Sequence, residues 1–215
     1  MENRLERKYI LNNNVKSYDF IKLLNYNFIE QHKERVVHSI YFDTPDLNSF
    51  NENIEGFESR YKVRIRWYNN DYKSAKIEIK TKENLVGKKL IYKLDNFNQD
   101  VDLLEYIKKI QINSDIQYDL IPYILNTLPI SYNNYSRKYF ESFDKKIRIT
   151  IDTNLKFKRL FRYSIPKLNQ MNQIDYSILE IKYKPEDEDL VSRILSNTFL
   201  VLRKFSKYTA GVLAN

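Results

Sequence analysis

The most constraining feature of this chain is a strict two-residue alternation of apolar and cationic side chains, repeated in segment after segment. In Lys62-Val63-Arg64-Ile65-Arg66-Trp67-Tyr68, successive residues of an extended strand point to opposite faces. Val63, Ile65 and Trp67 then share one side, and Arg64 and Arg66 the other. Lys76 to Lys82 places Ile77 and Ile79 on a core face, opposed by Lys76, Glu78, Lys80 and Lys82. The next segment offers Lys89 and Lys93 on one face. Isoleucines 147, 149 and 151 oppose Arg148, Thr150 and Asp152, while Leu179, Ile181 and Tyr183 oppose Glu180, Lys182 and Lys184. Near the N-terminus, Arg4, Glu6 and Lys8 fall on one side and Leu5, Tyr9 and Leu11 on the other, with Arg7 as the exception. Tyr135, Arg137 and Tyr139 form a further set before Glu141.

An antiparallel sheet with one solvated face also alternates. A solvated face, however, mixes small polar groups and both charge signs, whereas these faces are dominated by Arg and Lys, and like charges side by side repel. Such crowding makes sense on a concave face neutralised by a polyanion with several phosphates, since closed barrels can turn polar residues inward. The pattern predicts a basic tunnel.

Strand-like segments cover 2–11, 36–42, 60–69, 72–82, 88–94, 133–142, 145–152 and 176–184. Helical candidates cover 16–25, 46–53, 100–110, 117–126 and 186–202, most of them as peripheral covers. The turn-rich Tyr68-Asn69-Asn70-Asp71-Tyr72 joins two alternating strands and predicts an antiparallel hairpin. The fold class expected is α+β: an eight-stranded antiparallel barrel in one domain over 1–215, with a helical insertion at about 96–129.

Composition narrows the chemistry. The three glycines, Gly56, Gly87 and Gly211, are too far apart for a phosphate-cradling glycine loop, so side chains must hold any phosphate. Without cysteine there is no disulfide, thiolate metal site or cysteine nucleophile. The two histidines, His32 and His38, cannot build a three-histidine zinc site, so a metal here would be a hard cation on carboxylate oxygens, magnesium or manganese. No apolar run approaches the roughly 18 residues of a membrane span, and the start Met-Glu-Asn-Arg-Leu-Glu-Arg-Lys lacks an apolar signal core, which gives the expectation of a cytoplasmic protein without a membrane segment. Thirty-six Lys plus Arg against 28 Asp plus Glu give +8, which suits nucleic acid as well as polyphosphate. Nothing in the chain resembles a groove-reading helix or an aromatic RNA platform, so no nucleic acid is expected.

Several ordered motifs resemble the VTC (vacuolar transporter chaperone) domain of polyphosphate polymerases. They are Arg4-Leu5-Glu6-Arg7-Lys8-Tyr9, Ser39-Ile40-Tyr41-Phe42-Asp43-Thr44, Lys62-Val63-Arg64-Ile65-Arg66, Glu78-Ile79-Lys80, Tyr135-Ser136-Arg137-Lys138-Tyr139, Arg148-Ile149-Thr150-Ile151-Asp152, Leu179-Glu180-Ile181-Lys182 and Phe205-Ser206-Lys207-Tyr208-Thr209-Ala210-Gly211. The resemblance spans nearly the whole chain and implies the triphosphate tunnel metalloenzyme fold. It implies that Lys8, Arg64, Arg66, Lys80, Arg137, Arg148, Ser206 and Lys207 bind the triphosphate of ATP or a polyphosphate chain. Either Lys89 or Lys93 fills a further lysine position. Glu180 is implied as the acid holding a divalent cation, with Glu6 and Glu78 as secondary candidates for metal or for pairing with cations. Arg64, Arg66, Lys80, Lys207 and Glu180 form the expected catalytic set. Asn51 departs from the family, where arginine is frequent, and Arg60 is the candidate to compensate. The implied activity is a metal-dependent polyphosphate polymerase that transfers the γ-phosphate of ATP. A triphosphatase acting on inorganic triphosphate or nucleotides, and a non-catalytic polyphosphate sensor, are the alternatives. The cluster Glu186 to Asp189 is read as a helix start without a catalytic role.

Overall fold

In a computed structural model the alternating segments are strands, and residues 4–12, 15–83, 86–112, 120–161 and 163–214 are described. The elements run β1 (Leu5–Asn12), α1 (Ser17–Leu23), β2 (Phe28–Asp43), α2 (Asn48–Glu55), β3 (Arg60–Tyr68), β4 (Asp71–Glu83), β5 (Val86–Lys93), α3 (Leu103–Ile112), α4 (Ile121–Ile124), β6 (Leu128–Ser142), β7 (Arg148–Arg159), β8 (Asn172–Gln173), β9 (Tyr176–Tyr183), α5 (Glu188–Leu195) and α6 (Lys207–Leu213). The β1–β9, β2–β3, β3–β4, β4–β5 and β7–β9 ladders are antiparallel. The class is therefore α+β, as expected. The strand order starts at β1 and ends at β5, and no pairing of the two is found among the described residues, so the expected closed eight-stranded barrel is not shown.

Two compact units divide the chain. The first comprises Met1–Val36, Tyr135–Leu155 and Gln173–Phe205. Its core gathers Tyr9, Leu11, Phe20, Ile147, Ile149, Ile151, Leu179, Ile181, Tyr183 and Val191, the apolar sides of β1, β7 and β9 sealed by α1 and α5. Leu5, expected on that side, is 41% exposed. Arg7 interrupts the pattern because it ion-pairs with Glu188 at the start of α5 and lies 5.7 Å from the Tyr183 ring centroid. The second unit comprises Val37–Asn134, Lys156–Asn172 and Ser206–Asn215. There Val63, Ile65, Trp67, Ile77 and Ile79 are fully buried and pack with Leu103, Ile107 and Tyr132.

Glycine scarcity is met by asparagine. Asn25, Asn69, Asn96, Asn126 and Asn154 all have positive φ, the left-handed turn geometry that a short amide side chain tolerates best after glycine. Gly211 has a different duty. A Cβ there would lie 2.5 Å from Asn133 Oδ1 and 2.9 Å from Ser131 Oγ, so α6 rests directly against β6. Gly211→Ala must push the two elements apart, and a loss of about 1–3 kcal/mol in a urea titration is expected.

Beside Trp67, His38 stacks at 4.9 Å with a 4° interplanar angle. Its Nδ1 accepts from the Tyr132 hydroxyl at 2.6 Å and from Asn134 Nδ2 at 3.1 Å, which leaves the proton on Nε2. Burial pulls this imidazole down to about 4, against a smaller opposing hydrogen bond to the Asn69 backbone. The unfolded chain then binds the extra proton between pH 6.5 and 4, so stability is full above about 6.5 and falls by about 2–3 kcal/mol as pH drops through that window. Urea midpoints at pH 7 and 5, together with the His38 ring-proton shift, check this; a shift that titrates at 6 or above overturns it.

Candidate functional site

In the second unit, the register of three neighbouring strands builds one cationic face. Lys62 lies opposite Lys80, which lies opposite Lys89; Arg66 lies opposite Lys76, which lies opposite Lys93. Between these two rows runs Arg64, Glu78 and Ile91. Cross-strand partners share a face, so this patch holds seven cations and a single carboxylate, with Val63, Ile65, Ile77 and Ile79 buried beneath.

Glu78 is the pivot. Its Oε2 accepts from Arg64 Nε at 2.7 Å and lies 3.7 Å from an Arg66 nitrogen, and its Oε1 accepts from Lys89 at 2.9 Å. Burial raises the Glu78 carboxyl, but Arg64, Arg66 and Lys89 outweigh that and hold it at about 2. Glu78 thus pairs with cations, one of its two expected roles, and its oxygens are committed to three of them. Lys89 joins this cluster while Lys93 stands exposed opposite Lys76, which separates the two candidates for the further lysine position.

Two tyrosines back the arginines. Arg64 donates to the Tyr41 hydroxyl at 3.0 Å, and Arg66 Nε lies 3.5 Å from Ser39 Oγ. Burial raises the Tyr41 phenol, yet Arg64, Arg66 and Lys207 together bring it down to about 8. Tyr41 stacks on Tyr208 with centroids 5.2 Å apart, and Tyr208 donates to Asp43. Asp43 is wholly buried and also accepts from the backbone N–H of Thr44, Ser49 and Phe50, so it fastens the start of α2.

Ser206 and Lys207, expected to bind phosphate, stand at the start of α6. Ser206 Oγ accepts from Thr209 N at 3.3 Å, the plain capping role, and also from Lys62 Nζ at 3.2 Å. The Lys207 carbonyl accepts from Asn133 Nδ2 at 2.8 Å. Much of the Ser206–Gly211 motif is therefore anchoring: a cap at Ser206, a tie at Tyr208, a close approach at Gly211. Asn51 is exposed and donates to the Asp46 carbonyl at 3.3 Å, away from the strands, whereas Arg60, opposite Lys82 at the start of β3, falls on the cationic side by register with its guanidinium turned to the Phe57 carbonyl.

The first unit has a different character. Its ladder sets Glu6 opposite Lys182, itself opposite Arg148, and Lys8 opposite Glu180, itself opposite Thr150. Signs alternate here. Lys8 lies 2.7 Å from Glu6 and 3.7 Å from Glu180, and Lys182 lies 3.3 Å from Glu6 and 2.7 Å from Glu180. Burial and the Glu180 charge raise the Glu6 carboxyl, but Lys8 and Lys182 prevail and lower it. Arg137 grips Asp152 with two parallel bonds, Nε to Oδ1 at 2.5 Å and a terminal nitrogen to Oδ2 at 2.8 Å. Arg148 pairs with Glu141 at 2.8 Å.

Among the described residues no three His, Asp or Glu side chains group as metal ligands. The Glu6–Glu180 pair nevertheless fits magnesium or manganese by donor type, because these hard ions are held by one or two carboxylates with the substrate's phosphate oxygens completing the shell. Sequence reasoning put Lys76 on the charged face without assigning it to the site, and it missed Lys62, Ser39 and Tyr41. Lys62 and Lys76 were visible in the alternation itself, but Ser39 and Tyr41 enter only through the β2–β3 register.

A profile of the VTC domain matches residues 3–214. The chain belongs to the VTC family. The motif resemblance is borne out on that ground. No curated protein matches the sequence. Among solved structures, a candidate adenylate cyclase from Bacillus halodurans is similar with a TM-score of 0.53 at 16% identity, over 95% of this chain and 94% of that one. A second candidate adenylate cyclase, from Vibrio parahaemolyticus, reaches 0.49 at 13% identity, covering 95% of each chain. The Bacillus likeness shows that this VTC chain shares that protein's fold. No helix among the described residues is long and apolar enough to cross a membrane.

Proposed function

We propose that this VTC-family chain is a polyphosphate polymerase that transfers the γ-phosphoryl group of ATP to a polyphosphate end. The observation that carries the reading is the pair of like-charged rows, Lys62–Lys80–Lys89 and Arg66–Lys76–Lys93, on one face of β3, β4 and β5. Cations directly opposite one another destabilise a sheet, and a linear chain of phosphates laid along the rows removes that cost. The planar forks of Arg64 and Arg66 can take phosphate oxygens in pairs, while the lysines act as point charges.

Phosphoryl transfer asks little covalent chemistry of a protein. The terminal oxygen of the bound chain attacks the γ-phosphorus, the bond from that phosphorus to the β–γ bridging oxygen breaks, and ADP departs with the electron pair. Arg64, Arg66, Lys80 and Lys207 hold the reacting groups in line and offset the charge that gathers on the leaving oxygen. Glu6 and Glu180 of the first unit would hold a divalent cation, which when bound supplies positive charge that phosphate oxygens favour. The expected closed tunnel belongs to this proposal too, with the cationic face of β3, β4 and β5 as a wall, within one functional domain spanning 1–215.

Purified protein incubated with ATP and manganese is expected to yield a long polyanion that migrates as a ladder on a gel. Free phosphate as the sole product would establish the triphosphatase instead, and tight binding of tripolyphosphate without turnover the sensor.

A further inference from the structure

Within the second unit, the stacked rings of Tyr41 and Tyr208 have opposite electrostatic surroundings. Tyr208 donates to the buried Asp43 carboxylate, and burial together with that charge pushes its phenol far up. Tyr41 is 5% exposed and its oxygen accepts from Arg64 at 3.0 Å, with the guanidinium carbon 5.8 Å from its ring centroid. The other cations acting on it are Arg66 on β3 and Lys207 on α6. The acids nearby are already occupied. Glu78 on β4 is bonded to Arg64 and Lys89, while Asp43 on β2 holds Tyr208 and the N–H groups at the start of α2, where Glu52 feels Asp43 in turn. The remaining packing, from Val212 and Ile130, is apolar. The balance of charge at the Tyr41 oxygen is therefore positive.

We propose that Tyr41 is a positioning residue with two settings: as a neutral phenol it holds Arg64 for phosphate, and as a phenolate it is the face's own anion, competing with phosphate for Arg64 and Arg66. The inference rests on the reading of this face as the phosphate site. In the first setting Glu78 grips Arg64 at Nε, 2.7 Å away, and Tyr41 takes a terminal nitrogen, so the planar group is fixed at two edges. In the second, the phenolate and a phosphate oxygen ask for the same positive charge. Arg64, Arg66 and Lys207 bring the phenol to about 8 against the opposing effect of burial. A phosphate chain on those cations offsets their pull and lets the phenol rise again. Ligand thus favours the protonated form, binding takes up a proton near and above pH 8, and affinity falls as pH rises from 7 to 9.

The test titrates tripolyphosphate into the full chain, wild type and Tyr41→Phe, at pH 7, 8 and 9 by calorimetry in two buffers of different ionisation enthalpy. Phenylalanine keeps the ring that stacks on Tyr208 and removes only the oxygen. At pH 7 the variant should bind about two- to fivefold more weakly, through loss of one hydrogen bond to Arg64. The ratio of wild-type to variant affinity should then fall about five- to tenfold between pH 7 and 9, and the ligand's own ionisation cancels in that ratio. Proton uptake at pH 8 should be larger in wild type. A tyrosine with a packing role alone would shift affinity equally at every pH, so a constant ratio overturns the proposal and leaves the phosphate reading in place. Failure of wild type to bind tripolyphosphate at pH 7 overturns that reading and the competition with it. The phenolate absorption band, which needs no ligand, decides the Tyr41–Arg64 coupling separately. The difference between wild type and Tyr41→Phe should titrate near 8 and move upward in Arg64→Gln; a band absent below pH 9 ends the coupling.

Discussion

Arg66→Glu abolishes triphosphate binding, with an affinity loss of at least about a hundredfold. Arg66 is only 11% exposed, set between Ser39 and Glu78 and facing Lys76 across the ladder. A charged hydrogen bond is worth about 1.5–3 kcal/mol, and every 1.4 kcal/mol is about tenfold in affinity. Reversal adds repulsion between the new carboxylate, Glu78 and the phosphates, which takes the loss past the upper end of that range. Lys76→Gln supplies the control for folding. It removes an exposed cation that faces Arg66 on one side and Lys93 on the other, so the ligand-free protein should become no less stable, and by a few tenths of a kcal/mol more so. Affinity for tripolyphosphate should still fall. Calorimetric titration and urea melts read both quantities. Wild-type affinity in Arg66→Glu would show that the phosphates lie elsewhere.

That opposition between stability and affinity is what distinguishes a binding face from a solvated one, and it explains how far the sequence alone could reach. Alternation over Val63–Trp67 and Ile77–Ile79 has a period of two and no competing period, so the buried and cationic sides could be assigned residue by residue. The first half of β2, Phe28–Arg35, runs mostly through exposed polar residues, and the strand therefore begins eight residues before its apolar signal does. β7 continues past Asp152 through Leu155 and Phe157, whose alternation is visible only once Asn154 is recognised as tolerating its positive φ. Helix α5 stops at Leu195, not at 202, because Leu202 leaves to bridge Tyr9 beside β1. Helix α6 was hidden by Gly211 and Thr209, poor helix formers whose reasons to be there are tertiary. Part of the predicted helix at 117–126 lies outside the described residues, and only Ile121–Ile124 of it appears as α4. Closure of the sheet could not be read at all, because alternation fixes which face a residue occupies and is silent about which strand pairs with which.

Arg137 shows the same limit from the other side, and it sets the second large expectation. The family resemblance makes it a phosphate ligand, yet two faces of its guanidinium fork are committed to Asp152, whose side chain has no exposure at all. Burial opposes the charge on Arg137, but Asp152 and the nearby Tyr135 and Glu180 overcome it and raise its affinity for the proton. A buried pair of this kind need not contribute net stability, because desolvation of both ions offsets their attraction. Removing one partner is another matter. Arg137→Ala takes the counter-ion from a fully buried carboxylate, and a loss of about 3–5 kcal/mol in a urea titration is expected. The double variant Arg137→Met with Asp152→Leu should recover most of that loss, since neither charge then remains to be desolvated. A structural lock predicts this recovery together with a modest change in triphosphate affinity, because part of the fork stays open to an anion in wild type. If Arg137→Ala instead leaves the urea midpoint in place and costs affinity on the scale of Arg66→Glu, then Asp152 is a holder that aims the guanidinium at phosphate, and the pair belongs to the site.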